Sequence, residues 1–369
     1  MEMRNMRGSV CPFIALILAS SLFGACSKSP FSFLSGKDIV FTAETQVEET
    51  KVAYSGIMTG NIERIDWIKN DRIRIFSNKA LTWKRDGSTG NPQATYIINE
   101  DSITPDGRYS RASLDVVESS NEGGLQWDEA SDEHIFLALY PDQMPSGASS
   151  FAPGPAGQRF PSLFYTVQQA VQGGGFNMDY AYLFARTTVN YKSSGNRVNL
   201  SFHPLFTAFE FRLVDGENNT PTWNLKKLEL ISNKTICGRE KWTAMYQNNN
   251  LGWAYDSTYG SGENHKAVIV DNINANLPVR PASGNPVPKI VQLFGGMNTD
   301  VAHQMTLRLT FGDNDVRELE LKQDGQWIQY PRGKKGVFNI LVKNKSMSFT
   351  YSCQAIDLAH EDATNKITW

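Results

Sequence analysis

The sequence predicts an all-β fold built from two β-sandwich domains in tandem, and three observations carry that prediction. From Lys37 onward, apolar and polar residues alternate with a period of two, while helical periodicity is scarce. Aromatic and β-branched residues fill the alternating positions, which suits a pleated surface covered on one side. Clusters of Asn, Asp and Gly, such as residues 312–315, separate the short runs, as turns do between the strands of a sandwich.

The individual strands are predicted from the same alternation. In the first part of the chain, residues 38–43 and 71–76 alternate, and residues 134–140 are almost all apolar, which predicts a strand buried on both faces. The pattern is clearer in the second part. There the predicted strands are residues 197–203, 208–213, 305–311, 316–321 and 337–342.

A chain of 369 residues is long for one domain and suits two. The polar, glycine-containing segment Asn190 to Gly195 separates two strand-rich halves, so we expect a domain boundary there. The predicted N-terminal sandwich covers residues 37–192 and the C-terminal sandwich covers residues 193–353. Residues 354–369 follow as a C-terminal segment.

The first residues have the pattern of a lipoprotein signal peptide, predicted to cover residues 1–25. Arg4 and Arg7 precede a mostly apolar run that ends in Leu22-Phe23-Gly24-Ala25-Cys26. The run is about 14 residues long, whereas a spanning helix needs about 20. Mature protein would start at Cys26 with acyl chains such as palmitate, and residues 26–36 would be a tether. Since each buried methylene contributes about 0.8 kcal/mol, such chains form a stable outer-membrane anchor. A simple signal peptide with an incidental cysteine is the alternative.

Cysteine usage beyond the signal is sparse. Only Cys237 and Cys353 remain in the predicted mature domains. In an oxidising compartment they either form a disulfide or stay as two separate thiols, and the sequence leaves both open. No C-x-x-C spacing indicates a zinc or redox site.

No motif in the chain indicates catalysis, and we expect no enzyme activity, no metal and no cofactor. The sequence contains neither a G-x-S-x-G elbow nor an H-E-x-x-H helix. A formal net charge of −2 argues against nucleic acid as a partner, because phosphate binding needs a basic face. Eight tryptophans are present, which either fill sandwich cores or stack on sugar rings.

Several short segments follow one another in an order that a known family shares. They are residues 39–43, the W-x-x-G-D-x-I-x-V-like block 66–75 with Asn70 at the glycine position, Leu139-Tyr140-Pro141, the D-Y-x-x-A-like residues 177–183, the F-x-H strand pair 200–211, and Gly336 to Ile340 with Phe338 in place of tyrosine. Behind a lipoprotein signal, this series resembles the fimbrillin family, the lipoprotein pilus subunits of anaerobic Gram-negative bacteria.

The resemblance implies two transthyretin-like β-sandwich domains and assembly by strand exchange. In polymerising members a protease cuts after an arginine that follows the first strand, and a neighbouring subunit fills the opened groove with a donor strand. Here the displaceable strand would include Ile39, Val40 and Phe41, and residues 354–369 would be a tail or donor. Thr50-Lys51 stands where the family has T-R, so Lys51 and the next arginine, Arg64, are the candidate processing sites.

The sequence therefore predicts a structural or adhesive subunit of a cell-surface fimbria, in a stalk, tip or anchor position. Its expected partners are other fimbrial subunits, the membrane through the lipid, and a host or bacterial surface ligand. The alternative is a monomeric, glycan-binding surface lipoprotein. A pilus subunit should exchange its first strand, whereas a glycan binder should depend on exposed tryptophans.

Overall fold

The structure is a computed structural model of the whole chain. It describes residues 38–45, 67, 69–88, 90–99, 102, 104–106, 109–117, 122–129, 132–142, 151–153, 159–217, 223–243, 252–255, 266–279, 287–296, 303–330, 333–344 and 346–355. The predicted signal, the tether, Cys26, Lys51, Arg64 and residues 356–369 lie outside these ranges.

Strands make up 61% of the structure and helix is almost absent from the described residues, so the predicted all-β class is confirmed. The strands are β1 (Val40–Thr45), β2 (Arg72–Ser77), β3 (Leu81–Lys84), β4 (Gln93–Ile98), β5 (Thr104–Asp106), β6 (Tyr109–Val116), β7 (Glu122–Gln126), β8 (Glu133–Tyr140), β9 (Phe151–Pro153), β10 (Arg159–Tyr165), β11 (Leu183–Asn190), β12 (Arg197–Pro204), β13 (Thr207–Asp215), β14 (Asn224–Ser232), β15 (Gly238–Thr243), β16 (Gly252–Tyr255), β17 (Ala267–Val270), β18 (Ala275–Asn276), β19 (Lys289–Gly295), β20 (Met305–Phe311), β21 (Val316–Glu320), β22 (Lys322–Gln323), β23 (Gln326–Trp327), β24 (Lys334–Val342) and β25 (Met347–Ala355). Short helical turns are α1 (Tyr191–Ser194) and the 3-10 turns Gln172–Gly174, Met178–Tyr180 and Gly312–Asn314.

In the N-terminal half, seven strands form a closed circuit, which we call the N-terminal ring. Its order is β1-β12-β11-β8-β2-β4-β6, and β6 returns to pair with β1, while β5 pairs with β6 outside the circuit. Two strands, β6 and β12, each change pairing partner along their length and so form the corners of the ring. Residues 111–113 of β6 pair with β1 and residues 114–116 with β4, whereas β12 pairs with β1 along residues 197–202 and with β11 at residues 203–204. The corners divide the ring into two facing layers.

One layer consists of β11, β8, β2 and β4, and within it β8 lies between β2 and β11. Residues 134–139 of β8 are all buried, which confirms the both-faces-buried prediction for this apolar run. In β2, burial alternates as predicted through Ile73 and Ile75, which are fully buried, and the last two residues, Phe76 and Ser77, are buried as well. Burial of these residues supplies the ring with a continuous apolar interior.

In the C-terminal half, two sheets form what we call the C-terminal sandwich. One sheet has the order β19-β13-β24-β25, and the other has β17-β14-β20-β21 with β18 also on β14. Phe209, Phe211 and Leu213 of β13 are fully buried in the same core as Leu228 and Leu307 of the other sheet. In both halves an early strand runs parallel to a late one, β1 with β12 and β13 with β24. No sequence repeat reveals this shared plan.

The expected boundary near residues 190–195 contains α1, whose N-cap Asn190 accepts a hydrogen bond from the backbone N–H of Lys192 at 3.0 Å. The next strand, β12, pairs with β1 and β11 of the N-terminal ring, although it follows the expected boundary. The division into residues 37–192 and 193–353 stays a prediction.

A segment of the N-terminal half, residues 166–176, crosses onto the C-terminal sandwich, and we call it the strap. Ile269 of β17 donates its backbone N–H to the Val167 carbonyl at 2.7 Å, and the Gln169 N–H returns to the Ile269 carbonyl at 2.7 Å. The buried Gln169 side chain bonds both backbone groups of Phe294 on β19, at 2.7 and 2.9 Å. Because β17 and β19 are the outer strands of the two sheets, the strap closes that side of the sandwich.

Replacing Gln169 with alanine is expected to lower the free energy of unfolding by about 2–3 kcal/mol. The change leaves the N–H and C=O of Phe294 buried without their partner, and each such group costs about 1–3 kcal/mol. Urea unfolding measures the loss. The neighbouring Gln168→Ala change removes an exposed side chain and should leave stability within about 0.5 kcal/mol. Equal effects of the two variants would contradict a closing role for Gln169.

Two motifs of the sequence resemblance have physical explanations. Asn70 stands where the family usually has glycine, and it adopts a left-handed backbone conformation with φ 67°, which asparagine tolerates better than most residues. After Tyr140-Pro141, the buried Asp142 carboxylate is bonded by Arg74 and accepts a hydrogen bond from Thr95 Oγ1 at 3.2 Å. Asp142 thus ties the end of β8 to β2 and β4.

Candidate functional site

The first strand, β1, lies inside the N-terminal ring rather than at an edge. It runs parallel to β12, with Phe41 opposite Val198, and antiparallel to β6, with Ala43 opposite Ala112. Both of its edges therefore have a neighbouring strand. Without β1, the ring would have a gap between β6 and β12.

The inward face of β1 fills the space between the two layers. Phe41 and Ala43 of β1, together with Ile39 immediately before the strand, alternate inward and are buried. The Phe41 ring meets Tyr96 of β4 and Phe136 of β8 edge-to-face, with centroids 5.1 and 5.3 Å apart. Such contacts contribute about 0.5–1.5 kcal/mol each beyond area burial. Phe41 is thus the main apolar anchor of β1.

The Tyr96 hydroxyl, beneath this anchor, accepts a hydrogen bond from the backbone N–H of Leu125 at 2.9 Å. Burial raises the pKa of Tyr96 well above its usual value. The hydroxyl stays protonated at physiological pH. The space that Phe41 fills is therefore lined by apolar ring surface, and the one hydroxyl beside it, that of Tyr96, has a hydrogen-bond partner.

The outward face of β1 is held by weaker contacts. Thr42 bonds the Asn199 side chain, and Arg111 donates to Glu44 at 3.0 Å, where the arginine is half exposed. Exposed ion pairs of this kind contribute about 0–1 kcal/mol. The backbone hydrogen bonds to β6 and β12 and the buried inward face therefore hold β1 in the ring. Another extended segment with apolar residues at alternate positions can make the same interactions.

The structure brings the predicted residues Ile39, Val40 and Phe41 together at β1, with Val40 facing outward and half-buried. The other predicted site residues, Cys26, Lys51 and Arg64, lie outside the described residues. The role of β1 as a displaceable strand stays a prediction.

The tryptophans divide sharply by exposure. Trp67 and Trp127 are buried, and Trp223 and Trp327 are half-buried beneath Arg317 and Lys322, each cation 4.3 Å from the ring centroid. Trp83 on β3 is 41% exposed, and Gly123 of β7 lies beneath its ring. Among the tryptophan side chains that the structure describes, Trp83 is the most exposed and is therefore the best placed to stack on a sugar ring.

Cys237 and Cys353 are not joined to each other by a disulfide. Cys237 is buried and its Sγ lies 3.2 Å from the Ala267 carbonyl, and burial raises the pKa of this thiol to about 12. Cys353 lies exposed on β25.

The described residues contain no group of three or more His, Cys, Asp or Glu placed to hold a metal ion. Nor do they contain a helix long and apolar enough to cross a membrane.

A buried charge cluster on the C-terminal sandwich was not predicted. Glu210 of β13 and Lys335 of β24 are 3% and 1% exposed, and Lys335 Nζ lies 3.0 Å from Glu210 Oε2. Arg212 bonds the other carboxylate oxygen, and Gln292 of β19 donates to Oε2 at 2.9 Å. The cluster connects three adjacent strands. Its sequence signal is a glutamate at a position of β13 where both neighbours are phenylalanine.

Burial lowers the pKa of Lys335 from its usual value near 10.5 to about 7. Relative to a Lys335→Met variant, the protein should therefore gain stability from pH 7.5 to 9.5. In this window the unfolded chain holds a proton that the folded protein has released, so the free energy of unfolding rises with pH. Below about pH 7 both states hold the proton, and the contribution is constant.

Urea unfolding of both proteins at several pH values measures this difference. Cys237 acts in the opposite direction, because its folded pKa near 12 exceeds the unfolded value, but it is present in both proteins and cancels. A stability difference that stays flat or falls between pH 7.5 and 9.5 would contradict the assignment.

Comparisons with known proteins gave neighbours among solved structures. No family model and no curated protein matches the chain. A Bacteroides ovatus protein, itself only provisionally assigned to cell adhesion, shares 17% identity with a TM-score of 0.49, covering 88% of this chain and 99% of its own. A fimbrial assembly protein from Parabacteroides distasonis shares 12% sequence identity with a TM-score of 0.42, and the match covers 85% of this chain and 94% of that protein.

The tip fimbrial protein Mfa3 from Porphyromonas gingivalis, with a C-terminal truncation, shares 11% identity with a TM-score of 0.32, covering 86% of this chain and 99% of its own. Adhesion and fimbrial proteins of the Bacteroidales thus stand among the structural neighbours.

Proposed function

We propose that this protein is a lipid-anchored subunit of a cell-surface fimbria, joined to its neighbours by β-strand complementation. The observation that carries the proposal is the place of β1 between β6 and β12, with a backbone ladder on each side. A strand in this position leaves two pairing edges and an apolar slot when it is removed. An extended segment of another subunit with apolar residues at alternate positions fits both.

Lys51 is the proposed processing site, because it follows β1 in sequence and takes the place of the family's arginine. The proposed donor is the C-terminal segment, residues 354–369, of a neighbouring subunit. Cys26 carries the acyl chains that hold a subunit at the outer membrane until cleavage after Lys51 removes them together with β1. No residue of the proposed assembly acts as a catalyst.

Limited proteolysis with a lysine-specific protease tests this function on the mature full-length protein. The expected result is cleavage between Ala43 and Arg64, identified by N-terminal sequencing, followed by SDS-resistant ladders. A Lys51→Gln variant is the matched control and should remain monomeric. A Lys51→Arg variant, treated with an arginine-specific protease, should also form ladders. Cleavage of this variant without ladders, or its resistance to cleavage, would overturn the proposal.

A second candidate is a glycan-binding surface lipoprotein, which the exposed indole of Trp83 above Gly123 favours. This function predicts saccharide binding on a glycan array by the untreated monomer. A Trp83→Ala variant should lose that binding while its thermal unfolding stays unchanged. A Trp327→Ala variant, which removes a ring already covered by Lys322, should keep it. Undiminished binding in Trp83→Ala would exclude this site.

A further inference from the structure

The outer strands of the C-terminal sandwich differ in how they are protected from pairing with another chain. The strap bonds β17 and β19. Strand β21 carries Arg317, Glu318 and Glu320 among its five residues, and charged side chains discourage edge-to-edge pairing. Strand β25 is nine residues long and has neither a charged residue nor a proline. Among the described strands of its sheet it is terminal, with β24 on one side only.

The sequence of β25 is chemically palindromic about Thr350. Phe349 and Tyr351 flank the centre, Ser348 and Ser352 follow, and the sulfur-containing Met347 and Cys353 come next. The rings of Phe349 and Tyr351 pack on Phe338, with centroids 5.7 and 4.8 Å apart, and both are half-buried. Ser348 and Thr350 point outward and are exposed.

From this symmetry we propose that two copies of the protein pair through β25, antiparallel about a two-fold axis at Thr350. The axis places Thr350 opposite the partner's Thr350, Phe349 opposite the partner's Tyr351, Ser348 opposite the partner's Ser352 and Met347 opposite the partner's Cys353. At each position the two opposed side chains therefore belong to the same chemical class: hydroxyl, aromatic or sulfur-containing. Aromatic pairs and Ser or Thr pairs at opposed positions contribute about 0.2–1 kcal/mol each.

A second copy is the partner because a two-fold axis brings the same strand to itself. When two copies of one strand pair about a two-fold axis, a charged residue at the axis lies opposite its own copy. Like charges that face each other across a strand pair are destabilising. The uncharged β25 avoids this repulsion, whereas β21 does not. The pairing would join two four-stranded sheets edge to edge and bury the remaining surface of Phe349 and Tyr351. It leaves β1 in its ring and is independent of strand exchange.

A Met347→Cys variant of the full chain, purified in mild detergent, tests the register. Opposed Cβ atoms lie about 4.5–5.5 Å apart, so oxidation or a short bismaleimide should link the introduced thiol to the partner's Cys353. We expect a covalent dimer on non-reducing gels. The wild-type protein should give none at this site, because the two copies of Cys353 would lie about 20 Å apart along the strands.

Two further variants separate this pairing from other contacts. Adding Cys353→Ser to Met347→Cys should abolish the covalent dimer, which excludes links through Cys26 or the buried Cys237. Adding Thr350→Lys to Met347→Cys should also abolish it, because two ammonium groups then meet at the axis. Adding the matched change Val316→Lys, on the exposed part of β21, should leave it intact. A folded Met347→Cys protein that stays monomeric would overturn the proposal, as would a covalent dimer that persists with Thr350→Lys.

Discussion

Replacing Phe41 with alanine is expected to lower the free energy of unfolding by about 3–5 kcal/mol. Phe41 is fully buried between the layers of the N-terminal ring and meets Tyr96 and Phe136 edge-to-face. Truncation removes the transfer free energy of the ring and leaves a cavity that the packed layers fill only partly. Urea unfolding followed by circular dichroism measures the loss.

Val40→Ala is the matched control within the same strand. Val40 is half-buried on the outward face of β1, so its loss should be about 1 kcal/mol or less. The same pair of variants bears on strand exchange, since a weakened anchor lowers the barrier to release of β1. Phe41→Ala should therefore form SDS-resistant ladders faster than Val40→Ala after processing. A stability loss for Phe41→Ala no larger than that for Val40→Ala would show that the inward face does not anchor β1.

Replacing Glu210 with glutamine is expected to cost about 3–5 kcal/mol at pH 7. The change removes the carboxylate shared by Lys335 and Arg212, so the positive charge of the partly buried Arg212 loses its counter-charge, and the charge of the buried Lys335 must either stay unpaired or be lost with its proton. Adding Lys335→Met should restore part of the loss, because it removes one of those charges. Urea unfolding of the wild type, both single variants and the double variant forms a double-mutant cycle.

Glu318→Gln provides the comparison on the surface. Glu318 is exposed and lies 2.7 Å from Arg308, and such a pair contributes about 0.2–1 kcal/mol. A loss for Glu210→Gln as small as that for Glu318→Gln would mean that the cluster is solvated. Additive single losses in the cycle would contradict the direct Glu210–Lys335 interaction.

Most strands were predictable from the sequence because alternation is a local property. Residues 71–76, 197–203 and 305–311 were predicted from period-two patterns and form β2, β12 and β20 within one or two residues. The inward set of β1 follows in the same way, because Ile39, Phe41 and Ala43 are separated by two residues each. A sheet buried on one side imposes this period, so residue spacing alone reveals it.

The closure of the ring was not predictable, because it depends on which distant strands pair. β1 contacts β12 about half the chain away, and β6 divides its length between two partners. The strap was missed for a related reason. Gln169 is an ordinary polar residue in sequence, and it becomes structural only because Phe294 presents its backbone to it. The Glu210–Lys335 pair likewise joins residues that are remote along the chain.

By itself, the sequence determined the all-β class, the inward faces of the strands, the signal-like N-terminus and the order of the fimbrillin-like segments. These features depend on residue type and spacing within a few positions. Only the tertiary structure decided that β1 has a neighbour on each edge, that one side of the C-terminal sandwich is closed, and that β25 is terminal among the described strands of its sheet. The physical reason is that backbone hydrogen bonds between strands carry no side-chain signature, so partner choice emerges only when the chain has folded.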